Sequence, residues 1–270
     1  MARQTSVTAV LSSTAEWLYD MQTLLDYPLL IFAASFVVLW ASAHIGGVFH
    51  NKSRFMDEAD RNDLASVVTA TLTLLGLIIG FSFSMAISRY DQRKDYEEEE
   101  ANAIGTEQSR TDLLPDAAAK RVRELLKQYL YQRVLFYETR DEHQLQELGG
   151  TTTRLQNEMW STVQAATKDS PSPVVALAVS GMNDVLNSQG YTQAAWSNRL
   201  PLAAWSLMIT IAIFCNILVG YSAHHRKILL FLILPIALSI SFFLIADIDS
   251  PRGGLILVQP RNLQALLDNP

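Results

Sequence analysis

The sequence is poor in charged residues, and the deficit is concentrated in four segments. Asp, Glu, Lys and Arg make up 18% of the 270 residues, against about 25% in typical soluble domains. None of these residue types occurs in segments 27–51, 64–88, 200–225 and 228–246. Each segment is close to or above the roughly 20 residues that a helix needs to cross a bilayer. The pattern argues against a water-soluble enzyme and predicts four membrane-spanning helices.

Other absences narrow the function further. Cys215 is the only cysteine and lies inside an apolar run, which excludes a disulfide scaffold. The sequence has no GxxxxGK[ST] phosphate loop, HExxH zinc motif, GxSxG nucleophile motif or CxxC pair. The net charge is −6, whereas a nucleic-acid-binding face needs excess basic residues. We therefore expect no enzymatic activity, no catalytic residue, no cofactor, no bound metal and no nucleic-acid partner.

Prolines, charges and apolar spacing divide the chain into five regions. In the polar middle region, apolar residues recur at helical spacing, as at Val122, Leu125 and Tyr129, and nothing alternates as a strand would. Gly149-Gly150 is expected to end one helix there, with the next beginning at Thr152. We predict an all-α integral membrane protein with a helical extramembrane insert between the second and third of four transmembrane helices. The regions are an interfacial or disordered lead-in (1–27), helices 1 and 2 (28–88), a helical extramembrane domain (89–200), helices 3 and 4 (201–247) and a C-terminal tail (248–270).

Small and hydroxyl-bearing residues recur along the second predicted span at steps of three or four, which places them on one helical face. Small residues allow helices to approach closely, and Gly76 and Gly80 form the small-xxx-small pattern of such contacts. The same uncharged face could instead line a water-filled pore. Packing and pore lining both remain open at this point. The stripe consists of Ser66, Thr69, Thr73, Gly76, Gly80, Ser84 and Ser88.

An acidic run follows the second span. Segment 89–110 contains seven acidic and four basic residues, a net charge of −3. A run of this kind is commonly a solvated helix face. If the helix lines an axial opening in an oligomer, the same carboxylates form rings that concentrate cations. The residues predicted for such an acidic mouth are Asp91, Asp95, Glu97, Glu98, Glu99 and Glu100.

Two further carboxylates, Asp247 and Asp249, end the fourth span. Acidic residues at a helix C-terminus oppose the helix dipole, so a compensating group is expected. The pair predicts either an intrachain clasp or an ion site.

Several segments resemble the bestrophin-like family, a domain of unknown function. They are LGLIIGFSFSMA from Leu75 to Ala86, Ser88-Arg89-Tyr90, EEANAIGT from Glu99 to Thr106, and DIDSPRGG from Asp247 to Gly254. More distantly, the chain is similar to bestrophin ion channels, which are pentamers with a pore lined by the second membrane helix. Gly80-Phe81 and Arg89-Tyr90 are similar to the Gly-Phe and Arg-Trp of that helix.

The resemblance implies a pore neck at Thr73, Leu77 and Phe81. Thr73 departs from the bulky apolar residue expected there, and the long acidic calcium-binding run of animal bestrophins is missing. Both departures argue against calcium gating and against a neck of three hydrophobic rings. Basic residues are balanced between the two predicted faces of the membrane, so the positive-inside rule does not decide orientation. The bestrophin resemblance implies cytoplasmic termini and a cytoplasmic helical domain.

The resulting hypothesis is a bestrophin-like, homo-oligomeric ion channel of the inner membrane, most simply a pentamer, with a modest preference for cations. Its partners would be the lipid bilayer and inorganic ions. The alternative is a non-conducting membrane scaffold or sensor whose helical domain binds a partner. A channel requires the small-residue stripe to face an axial opening, whereas an anchor would fill that axis with packed side chains.

Overall fold

The computed structural model describes residues 25–52, 58–169, 171–222 and 228–268, so most of the predicted lead-in lies outside the described residues. The described residues contain helices and no strand, which confirms the all-α class. The α-helices are α1 (Pro28–Lys52), α2 (Glu58–Arg110), α3 (Asp116–Glu138), α4 (Glu142–Asp169), α5 (Pro173–Ser197), α6 (Leu202–Ser222), α7 (Ile228–Asp249) and α8 (Arg261–Asp268). A 3₁₀ turn, Thr111–Leu113, follows α2.

Four stretches of the described chain are helices long and apolar enough to cross a membrane, as the charge-free runs predict. They lie within Pro28–Phe49, Ala59–Leu113, Pro173–Ser222 and Phe231–Asp249. Pro235 lies inside α7, and the helix continues past it. Helix α2 extends as one helix from the second apolar run into the acidic run. The protein is therefore an all-α integral membrane protein with four transmembrane helices.

The chain divides into two compact units, which we call the membrane unit and the helical unit. The membrane unit comprises the described parts of 1–88 and 199–257, and the helical unit those of 89–198 and 258–270. Residues 258–268, which the sequence assigned to a C-terminal tail, thus group with the helical unit and include α8.

In the membrane unit, α1 packs against both α6 and α7. Two glycines allow the α1–α6 contact to be very close. A Cβ atom on Gly46 would lie 2.0 Å from the carbonyl oxygen of Ile217, and one on Gly220 would lie 2.0 Å from that of Ala43. These distances are too short for any side chain, so both positions require glycine. Small residues at such contacts are typical of membrane helix pairs.

The helical unit has an apolar core between α3, α4 and α5. Tyr129, Met159 and Met182 are each fully buried there. Helix α4 runs through Gly149-Gly150 without interruption, so the predicted break at these glycines is wrong. Each glycine costs roughly 1 kcal/mol in a helix interior relative to alanine, but α4 buries Leu155, Met159 and Val163 in the core, and each burial contributes about 1.5–3 kcal/mol.

Candidate functional site

Helix α2 has sharply different faces within the membrane unit. All the residues predicted for the stripe and neck are exposed, including Leu77 at 54% and Phe81 at 65%. On the opposite face, Leu75, Ser82 and Ala86 are buried. Only 6% of the most apolar part of α2 is buried within the chain, against 44% for α7. This face of α2 is therefore available for contacts outside its own chain. The exposed set is Ser66, Thr69, Thr73, Gly76, Leu77, Gly80, Phe81, Ser84 and Ser88.

The glycines of the stripe do not pack against other helices of the described chain. A Cβ atom on Gly76 or Gly80 would meet nothing within 4 Å. This contrasts with Gly46 and Gly220, where backbone atoms leave no space for one. The intrachain packing role suggested by the Gly76-xxx-Gly80 spacing belongs instead to the α1–α6 contact.

Three of the hydroxyl groups of the stripe are satisfied by their own helix. Ser66, Thr69 and Thr73 each donate to the carbonyl oxygen four residues earlier, at distances of 2.8 to 2.9 Å. The hydroxyl oxygens keep lone pairs that can accept from water, so this face needs no protein partner for its polar atoms. An uncharged face of this kind tolerates contact with water and with a neighbouring helix.

The predicted acidic mouth divides into two groups of different environment. Asp91, Asp95, Glu98 and Glu99 are exposed. Glu97 and Glu100 are 1% and 0% exposed, so they lack the solvent contact that a pore mouth requires. Glu100 accepts hydrogen bonds from Arg133, through Nε and Nη2, and from the Thr192 hydroxyl at 3.0 Å.

The environment of Arg133 favours its charged form. Burial lowers the pKa of Arg133, but its interactions with Glu100, Tyr129 and Tyr137 together more than offset this effect, and the pKa is raised overall. Tyr137, whose hydroxyl lies 3.5 Å from Glu100, has its pKa raised by burial and by that carboxylate. The guanidinium of Arg133 also lies 4.5 Å from the ring centre of Phe136. Glu100 is thus part of a buried ion pair inside the helical unit.

Glu97 caps the C-terminal helix α8. Its carboxylate accepts hydrogen bonds from the backbone amides of Asn262 and Leu263, both at 3.0 Å, and from Asn262 Nδ2 at 2.7 Å. Unpaired amides at a helix N-terminus favour a negative charge. The carboxylate therefore has a structural role in holding α8 against α2.

Asp247 and Asp249 are bound by backbone amides of the membrane unit. Asp247 accepts from the amides of Leu255 at 2.6 Å and Ile256 at 3.0 Å, and Asp249 accepts from that of Leu200 at 3.0 and 3.1 Å. A Cβ atom on Gly254 would lie 2.4 Å from the Asp247 carbonyl oxygen. The described part of the chain contains no group of three or more His, Cys, Asp or Glu residues placed to hold a metal. This geometry is that of an intrachain clasp.

The clasp includes residues that the sequence did not single out. Asp26 accepts from Arg199 Nη2 at 2.7 Å, and from the Ser250 hydroxyl at 2.7 Å. A Cβ atom on Gly253 would lie 1.8 Å from the Asp26 carbonyl oxygen. Asp26 directly precedes the first apolar run, but nothing in its local sequence predicts a contact with residues 199 and 250.

The family comparison agrees with the fold. A model of the Bestrophin-like domain matches residues 29–263. The chain belongs to the Bestrophin-like domain family. No curated protein sequence matches the chain.

Several solved structures have a similar fold. A bestrophin homologue from Klebsiella pneumoniae has a TM-score of 0.62 at 12% sequence identity, covering 89% of this chain and 98% of that one. A variant of that homologue with a tryptophan replaced by alanine has a TM-score of 0.60 at 12% identity, covering 88% and 93%. A membrane protein with a leucine-to-alanine substitution has a TM-score of 0.62 at 11% identity, covering 87% and 98%. At these identities the likeness is one of fold.

Proposed function

We propose that the protein is an ion channel in which α2 helices from several copies surround a common axis. The observation that carries this proposal is the exposure of the whole uncharged stripe of α2, while Leu75, Ser82 and Ala86 on the opposite face are buried. Because small residues in membrane helices are typical of helix–helix contacts, and hydroxyl groups tolerate water, this face suits a neighbouring helix or a pore better than lipid. The resemblance to bestrophin channels supports the pore, and it supports a pentamer as the assembly.

The narrowest part of the pore is proposed at Thr73, Leu77 and Phe81. Leu77 and Phe81 are four residues apart, so they lie on one face of α2, and both project from the helix. Hydrophobic rings of this kind gate by excluding water from a constriction. Thr73 adds a polar ring, whose hydroxyl is bonded to its own helix. Two hydrophobic rings and one polar ring therefore form the proposed neck.

The proposed mouth consists of Asp91, Asp95, Glu98 and Glu99, because these are the exposed members of the acidic run. Repeated in every copy, they hold a negative potential across an opening narrower than about twice the 8 Å screening length of physiological salt. Lys94 lies among them and is also exposed, so the potential is partly offset. A modest preference for cations follows. We place the channel in the inner membrane, with its termini and helical unit in the cytoplasm.

The alternative function is a non-conducting scaffold or sensor, in which the helical unit binds a partner. The observation that favours it is the exposure of large side chains on that unit, including Tyr131 at 53%, Leu177 at 52% and Tyr191 at 55%. In an oligomeric channel the same side chains can contact neighbouring copies. In a channel the stripe of α2 faces a water-filled opening, whereas in a scaffold it faces packed side chains.

Accessibility of introduced cysteines distinguishes these functions. In a background with Cys215→Ser, we would compare Thr73→Cys and Ser84→Cys on the stripe with Val37→Cys on α1, which is also exposed at 58%. A membrane-impermeant thiol reagent should modify the two stripe positions and should reduce ion flux in liposomes, because water reaches a pore face. Val37→Cys should stay unmodified, because that side chain faces lipid. Equal reactivity at all three positions would contradict a pore lined by α2.

Assembly is tested separately. Native mass spectrometry in mild detergent should show a ring-sized homo-oligomer, with five copies expected. A protein that is entirely monomeric under these conditions would contradict the channel, since a single α2 cannot enclose an axis.

A further inference from the structure

Glu107, near the end of α2, is buried without any hydrogen-bond partner. Its relative exposure is 0%, and neither carboxylate oxygen has a hydrogen-bond partner. Glu97 and Glu100, on the same buried face of α2, are both saturated with donors. An ionised carboxylate in such a place is strongly disfavoured unless it is paired. Glu107 therefore differs in kind from its buried neighbours.

The carboxyl group of Glu107 lies directly against α5. A Cβ atom on Gly181 would lie 2.1 Å from Glu107 Oε2 and 2.6 Å from Arg110 Nη1. Glycine at 181 thus makes room for the carboxyl. The sequence gives no sign of this role, because Glu107 looks like one more acid on a charged helix.

Two charged groups act on Glu107, Arg110 of α2 and Asp184 of α5. Arg110 of α2 contacts Asp184 of α5 at 3.9 Å, a loose ion pair with both side chains partly exposed. From α3, Arg123 is engaged by the 3₁₀ turn, donating from Nε to the Thr111 hydroxyl at 2.9 Å and from Nη2 to Asp112. Arg110 is consequently the cation that can exchange partners.

We propose that Glu107 is a protonation-controlled switch of the α2–α5 contact. With the carboxyl neutral, α2 and α5 pack together at Gly181 and Arg110 pairs with Asp184. When the proton leaves, the carboxylate recruits Arg110 away from Asp184 or leaves the contact, and either change loosens α5 from α2. The switch therefore responds to pH. The Glu107 carboxyl binds the proton, and a rise in pH removes it.

The direction of the pH dependence follows from the environment of the carboxyl. Burial, offset in part by Arg110 and reinforced by Asp184, raises the pKa of Glu107 from 4.5 to about 8. The folded helical unit therefore holds this proton more tightly than the unfolded chain does. Stability from this group is complete below the unfolded pKa and is lost as pH rises through the folded pKa. Other carboxyl groups with ordinary pKa values finish titrating below this window.

The test is the unfolding temperature of the full-length protein in detergent, followed by tryptophan fluorescence between about pH 6 and pH 9. The wild type should lose several degrees across this range. Glu107→Gln, which copies the neutral carboxyl, should lose much less. Glu124→Gln, at a surface carboxyl of α3 that is 67% exposed, is the matched control and should follow the wild type.

Two surface variants test the switch without altering Glu107. Arg110→Gln removes the offsetting cation and should move the midpoint of the loss to higher pH. Asp184→Asn removes a neighbouring anion and frees Arg110, so it should move the midpoint to lower pH. Shifts in these opposite directions would support the switch even if Glu107→Gln failed to fold. A Glu107→Gln protein with the wild-type profile, or surface variants without opposite shifts, would overturn it.

Discussion

The two halves of α2 bury different kinds of side chain. In the membrane unit, α2 buries Leu75 and Ala86 and leaves its small residues exposed. In the helical unit, its buried face consists mainly of charged side chains, namely Arg93, Glu97, Glu100 and Glu107, with Ala101 and Ile104 among them. The membrane half of α2 thus buries apolar side chains, as is usual. The half in the helical unit buries mainly polar side chains, which make specific contacts.

The comparison shows why a charge run is ambiguous. A buried acid is stable only where donors reach it, and donors come from elements distant in sequence. Glu97 finds them in α8, and Glu100 finds them in α3 and α5. Such contacts fix the register of packed helices more narrowly than apolar surfaces do, because a shift of one residue would leave charges unpaired.

The largest expected effect is the loss of one partner of the Glu100–Arg133 pair. Glu100→Ala leaves the guanidinium buried without its carboxylate, and we expect about 3–5 kcal/mol of destabilisation. Glu99→Ala, at an exposed neighbour, should change stability by less than about 0.5 kcal/mol. Thermal or denaturant unfolding in detergent measures both. Similar losses in the two variants would mean that the buried polar face does not hold the helical unit together.

The pair also offers a rescue. Replacing both partners with apolar residues, Glu100→Leu with Arg133→Met, should recover most of the lost stability, since such exchanges are often neutral. If the double variant does not recover, the loss does not come from the unpaired charge alone, because Thr192 and Tyr137 also lose their acceptor.

Glycine-to-alanine substitutions should have opposite effects on stability in the two units, and both effects should be smaller than that of Glu100→Ala. Gly220→Ala forces a Cβ atom against the backbone of α1, and overpacking of this kind costs about 1–3 kcal/mol. Gly150→Ala, inside α4 with nothing within 4 Å of the new atom, should stabilise by about 0.4–1 kcal/mol. Unfolding temperatures should therefore move in opposite directions. A tolerated Gly220→Ala would contradict the close α1–α6 contact.

The fold was predictable where a single physical cause dominates. Four charge-free runs predict four spans because no other common structure needs apolar stretches of that length. The exposed stripe was predictable as a helical face, since spacing alone defines it. The sequence could not decide whether this stripe packs against a helix or lines a pore, because that depends on what else approaches Gly76 and Gly80. The same limit applied to Gly149-Gly150, where propensity pointed to a break and burial of the α4 core face outweighed it.

The acidic residues were the hardest to predict. Glu97, Glu98, Glu99 and Glu100 are identical in type and adjacent in sequence, yet two are buried and two exposed. One signal was present, because Arg93, Glu97, Glu100 and Ile104 have the spacing of a buried helical stripe. Because three of these four residues are charged, the spacing did not suggest a buried face.

The proposed neck gives a functional test of the exposed half of α2. Replacing Leu77 and Phe81 together with Ala should widen a water-excluding constriction, so ion flux in liposomes should rise. A tenfold rise corresponds to a barrier lower by about 1.4 kcal/mol. Leu207→Ala, an equally exposed leucine of α6 at 50%, should leave flux unchanged. Unchanged or reduced flux with the oligomer intact would argue against a neck at these residues.

The smallest expected effect concerns selectivity, and it uses the exposed acids alone. Neutralising Asp91, Asp95, Glu98 and Glu99 to their amides removes the charge of the proposed mouth but leaves the buried Glu97 and Glu100 contacts in place. Exposed carboxylates act weakly one at a time and are screened by salt, so the wild type should favour cations only modestly. The measurement is the reversal potential under a potassium chloride gradient. The wild-type value should lie on the cation side, and the amide variant should move toward zero.

Glu124→Gln, which removes one exposed charge on α3, should keep the wild-type value. An anion-selective wild type would assign these four carboxylates to a solvated helix face, and so would an amide variant with an unaltered reversal potential.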